Sequence, residues 1–296
     1  MQPESRFVES NGVNHHYLEW GSPGNPNLVM FHAVGMCSQI WNSAARDLAQ
    51  DYHVFCFDLR GHGDTKNSGD LRGHEDTEHP GGEYNFQQLG QDVASVMQTM
   101  GLEGSIGVGH SAGGMSMLIA DSLVPGIIGR GVLVDTRVGE SPMTLLTPEE
   151  QKVRIKRTLQ KRSVWESRET MYAAYRDRRA FKSWTDEVFA DYIEGGTRVL
   201  DDGRVELKCH PQAEERFYQS RRELDTSKVL RGLGGEYILL VGDYKGAQTP
   251  QDKAVQHLIR ETKSFQFKEL GAGSHFVPME HPALVLKEIR RFIDES

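Results

Sequence analysis

Gly109-His110-Ser111-Ala112-Gly113 follows the apolar run Ile106-Gly107-Val108 and leads straight into Ala112 to Leu123, a stretch of helical composition. A strand that turns at once into a helix holds the residue at the turn in a strained backbone conformation. Small residues two before and two after that turn let the neighbouring segments approach closely. Ser111 would then stand above a sheet at the N-terminus of a helix, whose free N–H groups favour negative charge. With 31 glycines in the chain, Gly-x-Ser-x-Gly alone can arise by chance. The strand before it and the helix after it give the motif its meaning.

Working outward, short apolar runs alternate with longer helical stretches, a pattern of βα units and a mostly parallel sheet flanked by helices. Phe7 to Glu9 and His15 to Trp20, joined at Asn11-Gly12, read as an opening hairpin. Strands are expected at Leu28 to His32, His53 to Asp58, Ser105 to His110, Gly131 to Asp135, Tyr237 to Val241 and Ser264 to Leu270. Helices are expected at Ser43 to Gln50, Asn85 to Met100, Ala112 to Leu123, Gln251 to Glu261 and Pro282 to Ile293. Between Arg137 and Leu233 the chain turns charged and helix-like, with Trp165, Tyr172, Tyr175, Phe181, Trp184, Phe189, Tyr192, Phe217 and Tyr218 spread along it. It lacks apolar strands, so it reads as a helical cap inserted after the sixth strand. The expected division is a core at 1–136, a cap at 137–233 and the rest of the core at 234–296.

A serine hydroxyl is a poor nucleophile without a base. Of twelve histidines, His275 is the best placed, in Gly271-Ala272-Gly273-Ser274-His275-Phe276, a small-residue loop after the last expected strand. His110 is too near Ser111 along the chain, and His32, opening the loop after the first buried strand, reads as a structural hydrogen-bonding residue. An oxyanion needs donors aimed at it. The N–H of Ala112, directly after the nucleophile, is one, and Val34 in His32-Ala33-Val34-Gly35-Met36 is expected to supply the second.

These motifs together resemble the α/β-hydrolase superfamily. His32-Ala33-Val34-Gly35 with Trp41 is similar to its oxyanion loop, Asp58-Leu59-Arg60-Gly61-His62-Gly63 to its Asp-x-x-Gly-x-Gly turn, and Gly273-Ser274-His275-Phe276 to its histidine loop. The resemblance implies a serine hydrolase of the carboxylesterase or lactonase kind. An aspartate at the elbow would instead imply epoxide hydrolase or dehalogenase chemistry. The family usually places its triad acid in Gly-x-x-Asp after the strand at Tyr237 to Val241. Here Gly242-Asp243-Tyr244-Lys245 puts lysine there. Asp135, after the preceding strand, is preferred as the acid, with Asp243 as the alternative.

The expected substrate is a small or medium apolar ester, lactone or related acyl compound in an apolar pocket, with Met36, Met115 and Met279 as candidate lining. No cofactor and no metal are implied. Two other readings stay open: a ligand-binding receptor of the same fold with little turnover, and carbon–carbon bond hydrolysis or cofactor-free oxygen chemistry in the same pocket. At 296 residues, 38% hydrophobic and 26% charged, with net charge -8, the chain suits one large core with an insert. No basic patch points to nucleic acid. The stretch Lys152 to Arg162 reads as a solvated helix face. No run approaches the ~20 apolar residues of a membrane helix. Cys37, Cys56 and Cys209 are odd in number and widely spaced, with Cys37 and Cys56 read as free buried thiols, so a cytoplasmic protein is expected, a homodimer being one option. Asp58 to Thr65 recurs almost unchanged as Asp70 to Thr77, which reads as a lengthened exposed loop rather than a solenoid.

Overall fold

Asn11 and Gly12, at φ of 51° and 68°, turn strand β1 (Glu4–Ser10) back onto β2 (Val13–Trp20) as a hairpin. The computed structural model describes residues 1–67, 84–138, 147–243 and 265–294. Along the chain follow β3 (Asn27–Phe31), helix α1 (Asn42–Leu48), β4 (His53–Phe57) and the short β5 (Lys66–Asn67). Next come α2 (Phe86–Met100), β6 (Ser105–His110), α3 (Ala112–Leu123) and β7 (Ile128–Val134).

The segment from Arg137 to Leu233 holds α4 (Pro148–Leu159), β8 (Val164–Trp165), α5 (Arg168–Arg176), α6 (Asp186–Gly195), β9 (Thr197–Val199), β10 (Val205–Leu207), α7 (Pro211–Ser220) and α8 (Thr226–Arg231). Then β11 (Glu236–Val241), β12 (Phe265–Glu269), α9 (Val277–Glu280) and α10 (Pro282–Asp294) complete the chain. The expected helix at Gln251 to Glu261 lies outside the described residues, as does the second copy of the repeated segment.

The main sheet runs β1-β2-β4-β3-β6-β7-β11-β12, with β5 pairing β2 off this path. From β4 to β12 every neighbouring pair is parallel. Apart from the edge strand β12, these strands are largely buried on both faces, which is why they read as continuous apolar runs rather than as alternation. Along β3 the side chains still divide by parity. Leu28 and Met30 pack on the face with Leu48 and Ile289, while Val29 and Phe31 pack on the other with Val93 and Leu118. Asn85 starts α2 by accepting the N–H of Gln88 at 2.7 Å, a cap worth about 1 kcal/mol, and Gly101 ends it at φ 65°.

Two expectations about the insert change. It is not purely helical: β8, β10 and β9 form a three-stranded antiparallel sheet. Strands of two and three residues are too short to show alternation in sequence. Its aromatics also serve it internally. Phe181 stacks on Tyr175 with ring centroids 5.1 Å apart and meets Trp184 at 5.0 Å, and Trp184 reaches Phe276 at 5.5 Å. They form the insert's own core and its seat on the sheet domain.

Candidate active site

Ser111 ends β6 at φ 52° and ψ -107°, a conformation that ordinary residues avoid. The turn is tied down by Ser111 N donating to Val134 O at 3.0 Å and Met115 N to Ser111 O at 3.1 Å. A Cβ added at Gly109 would lie 2.4 Å from Gly114 N, and one at Gly113 would lie 2.2 Å from Phe31 O. Only glycine lets these backbones approach so closely.

On the next strand, Asp135 is fully buried just beyond β7, itself at φ 46°. Its Oδ2 lies 2.5 Å from His275 Nδ1. A carboxylate only accepts, so Nδ1 carries the proton and Nε2 is left as the basic atom. Asp135 Oδ1 accepts the N–H of Gly242 at 3.4 Å. The histidine loop is clamped from two sides. Ser274 N and Oγ donate to Glu280 at 2.5 and 2.9 Å, and His110 Nε2–H donates to His275 O at 2.8 Å. Asp243, by contrast, is exposed, and its N–H is held by Ala272 O at 3.0 Å. Of the two candidate acids, Asp135 is the one that meets His275. Lys245 lies outside the described residues. Ser111 and His275 line one cavity without a direct hydrogen bond, a looseness common in unliganded sites.

The loop after β3 is fixed by histidines that the cavity does not expose. His32 Nδ1–H donates to Ala33 O at 2.8 Å and its Nε2 accepts Leu59 N at 3.0 Å. His62 accepts Gly35 N at 2.9 Å on Nε2 and donates from Nδ1 to Arg60 O at 2.9 Å. Met36 N is spent on Ala33 O and Ser38 N on Asp58, leaving the N–H of Val34 unbonded among the described residues. Burial lowers the pKa of His32, and burial followed by the charge of His32 lowers that of His62 to about 3. Burial and then the charge of His275 bring His110 to about 3 as well. These three rings are neutral brackets. His62 as the support of Gly35 was not foreseen. The turn Asp58 to Gly63 signalled it only as a family motif.

The cavity is about 360 Å³, the size of a small-molecule site. Ala33, Val34, Met36, Phe86, Met115 and Phe276 are among its lining, so two of the three proposed methionines are there, while Met279 is buried elsewhere. The expectation of an apolar pocket holds only in part, because Arg137, Gln151, Arg154, Tyr218, Arg221 and Arg222 line the same cavity. Arg154, on the helix face read above as solvated and itself exposed, lies 3.7 Å over the Tyr218 ring. The Tyr218 hydroxyl donates to Glu214 at 3.1 Å, which also binds Lys161 at 2.7 Å.

Among the described residues, one group has the geometry for a metal: His16, Asp58 and Asp64, whose ligand atoms lie within 4.8 Å of one another. Those atoms are already engaged: Asp58 takes His16 Nδ1 at 2.6 Å and Asp64 N at 3.0 Å, and Asp64 takes Lys208 at 2.7 Å. This group braces β2 against the turn after β4. His74, Glu75, Asp76, Glu78 and His79, whose side chains could in principle bind a metal, lie outside the described residues.

Comparison with known proteins bears on the fold and the family. Epoxide hydrolase A of Mycobacterium tuberculosis is 28% identical over 112 residues, 38% of this chain and 32% of that protein. The chain thus matches about a third of the length of such curated relatives. An uncharacterized hydrolase of Bacillus subtilis, YugF, is 23% identical across 99% of this chain and 98% of its own. The solved structure of E-2-(acetamidomethylene)succinate hydrolase superposes with a TM-score of 0.80 over 99% of both chains at 19% identity, a likeness of fold. No helix among the described residues is long and apolar enough to cross a membrane. Residues 28–288 match the profile of the Alpha/beta hydrolase family, and the chain belongs to that family.

Proposed function

We propose that the chain is a serine hydrolase that cleaves an ester, lactone or related acyl bond through an acyl-enzyme on Ser111. The observation that carries this reading is the buried Asp135 held 2.5 Å from His275 Nδ1 beside a strained Ser111 in one cavity. In the first step Ser111 Oγ bonds to the carbonyl carbon while its proton passes to His275 Nε2. The N–H groups of Ala112 and Val34 hold the oxyanion, and Asp135 stabilises the imidazolium. The imidazolium then protonates the leaving group as its bond to carbon breaks. Water, deprotonated by His275, releases the acid and restores Ser111. Residues 137–233 act as the cap over this site.

The epoxide hydrolase likeness does not carry its activity here, because serine, not aspartate, stands at the elbow. Fluorophosphonate labelling tests the proposal directly. Ser111 should be modified, and 4-nitrophenyl acetate should release a burst of nitrophenol before steady turnover. Retention of the wild-type rate in Ser111→Ala would refute the mechanism. Absent labelling with tight ligand binding would favour the receptor reading, and product analysis separates carbon–carbon cleavage.

A further inference from the structure

The cavity's charge is out of keeping with the protein's. The chain carries a net charge of -8, yet the cavity is lined by four arginines and, among the described residues, by no aspartate or glutamate. All four come from the segment after β7: Arg137 two residues beyond Asp135, Arg154 on α4, and Arg221 and Arg222 just past α7. Like charges are brought together rather than dispersed. Arg221 donates to the backbone O of Arg137 at 3.0 Å, so the two guanidinium-bearing residues are neighbours. No carboxylate pairs with Arg221 or Arg154 among the described residues. Burial, and then the nearby charge of Arg137, lower the pKa of Arg221 to about 10. It stays charged at neutral pH, in a place that disfavours charge.

Nor are these side chains left to wander. Arg154 is stacked on Tyr218, and Gln151 Oε1 accepts from Arg222 Nε while its amide donates to Tyr218 O at 3.3 Å. Clustered cations held in position beside a nucleophile form a receptor for an anion. A guanidinium fork matches the two oxygens of a carboxylate.

We propose that the substrate carries a carboxylate remote from its scissile carbonyl, bound by Arg154 and Arg221 with Arg137 beside them, so that the site acts on acyl derivatives of dicarboxylic acids. This rests on the serine hydrolase reading and replaces its apolar substrate with an anionic one. The apolar lining residues, Met36, Met115 and Phe276 among them, receive the carbon chain between the two carbonyl groups. Ser111 attacks the esterified or lactonised one, and the free carboxylate stays on the arginines throughout.

Two measurements test this. Mono-4-nitrophenyl glutarate should exceed 4-nitrophenyl acetate in kcat/KM by about tenfold to a hundredfold, the span of a charged hydrogen bond. That ratio should fall to within about threefold of unity in Arg154→Gln/Arg221→Gln. Arg221→Lys, which keeps the charge but not the fork, should retain part of it. Equal turnover of the two esters by the wild type, or a ratio that survives the double substitution, would overturn the proposal. Independently of turnover, calorimetric titration of Ser111→Ala should show glutarate binding at least tenfold more tightly than glutaramide, and more tightly than inorganic phosphate. Preference for glutaramide or phosphate would equally overturn it. If neither ester turns over but glutarate still binds Ser111→Ala through these arginines, the hydrolase reading fails and the carboxylate site stands.

Discussion

Replacing Asp135 with asparagine isolates the step on which the proposed mechanism depends. The carboxylate is fully buried, with Oδ2 2.5 Å from His275 Nδ1 and Oδ1 3.4 Å from Gly242 N. Asparagine has the same shape, and its carbonyl oxygen will turn to Gly242 N–H because only that atom can accept. Its NH₂ then faces His275 and obliges Nδ1 to accept. The proton moves to Nε2, which can no longer take one from Ser111. Two losses follow. Imidazolium loses a counter-charge worth about 4 kcal/mol at ~4 Å and an effective dielectric of ~20. The wrong tautomer adds the rest, for a total of about 10⁴-fold in kcat, roughly 5.4 kcal/mol. Steady-state hydrolysis of 4-nitrophenyl acetate and the fluorophosphonate labelling rate should both fall on this scale. The melting temperature should change little, and Asp243→Asn should stay within about twofold of wild type. Retention of a tenth or more of the activity by Asp135→Asn, with collapse in Asp243→Asn, would refute the assignment.

His62→Ala should lower kcat by about 10²-fold, comparable to losing an oxyanion donor, because Gly35 N loses its acceptor and the loop carrying Val34 is released. An unchanged kcat would remove His62 from the support of that loop. Gly113→Ala places a Cβ 2.2 Å from Phe31 O and should destabilise by about 3 kcal/mol, lowering the melting temperature by roughly 6–12 °C. Stability should also depend on pH through His62 and His110, each lowered from 6.5 to about 3 on folding. The unfolded chain binds these protons first, so their stabilisation is fully present above pH 6.5. It is lost as pH falls, by about 1.4 kcal/mol per unit for each histidine. Urea midpoints at pH 7, 6 and 5 should fall together. A flat series would show that the two rings are not buried as neutral species.

The sheet was legible because its central parallel strands are buried on both faces, and the elbow because the close approach of Gly109 and Gly113 demands glycine. Both are local constraints, written into consecutive residues. The acid was not legible to the same degree. Asp135 and Asp243 each follow a strand of the same sheet, and choosing between them requires knowing which side chain meets His275 over a separation of more than a hundred residues. The small sheet of the insert escaped detection because Val164–Trp165 and Thr197–Val199 are too short for a pattern. The arginines escaped for another reason. Arg137, Arg154 and the pair Arg221-Arg222 lie far apart in sequence, so nothing local shows that they share one cavity, and Arg154 is exposed on α4 as its helix face predicts. Only α4 packing beside α7 brings it over Tyr218.

The two halves of the site therefore differ in how they are encoded, and Glu214 is where they meet. In the proposed mechanism the loops after β3, β6, β7 and β12 supply the reacting groups, held by neutral histidines and by backbone contacts that tolerate no larger residue. The segment after β7 supplies charge from a loop, from α4 and from just past α7. A Cβ on Gly35 would lie 3.3 Å from the Glu214 carboxylate, so Glu214 rests against the oxyanion loop. The same carboxylate accepts from Tyr218, and Tyr218 carries Arg154. A single helix, α7, thus abuts the loop after β3 with one side chain and carries a cavity arginine on another, one turn apart. Under the proposal, exchanging the cavity arginines should change which substrate binds while leaving that loop in place. Displacing α7 should disturb binding and chemistry together.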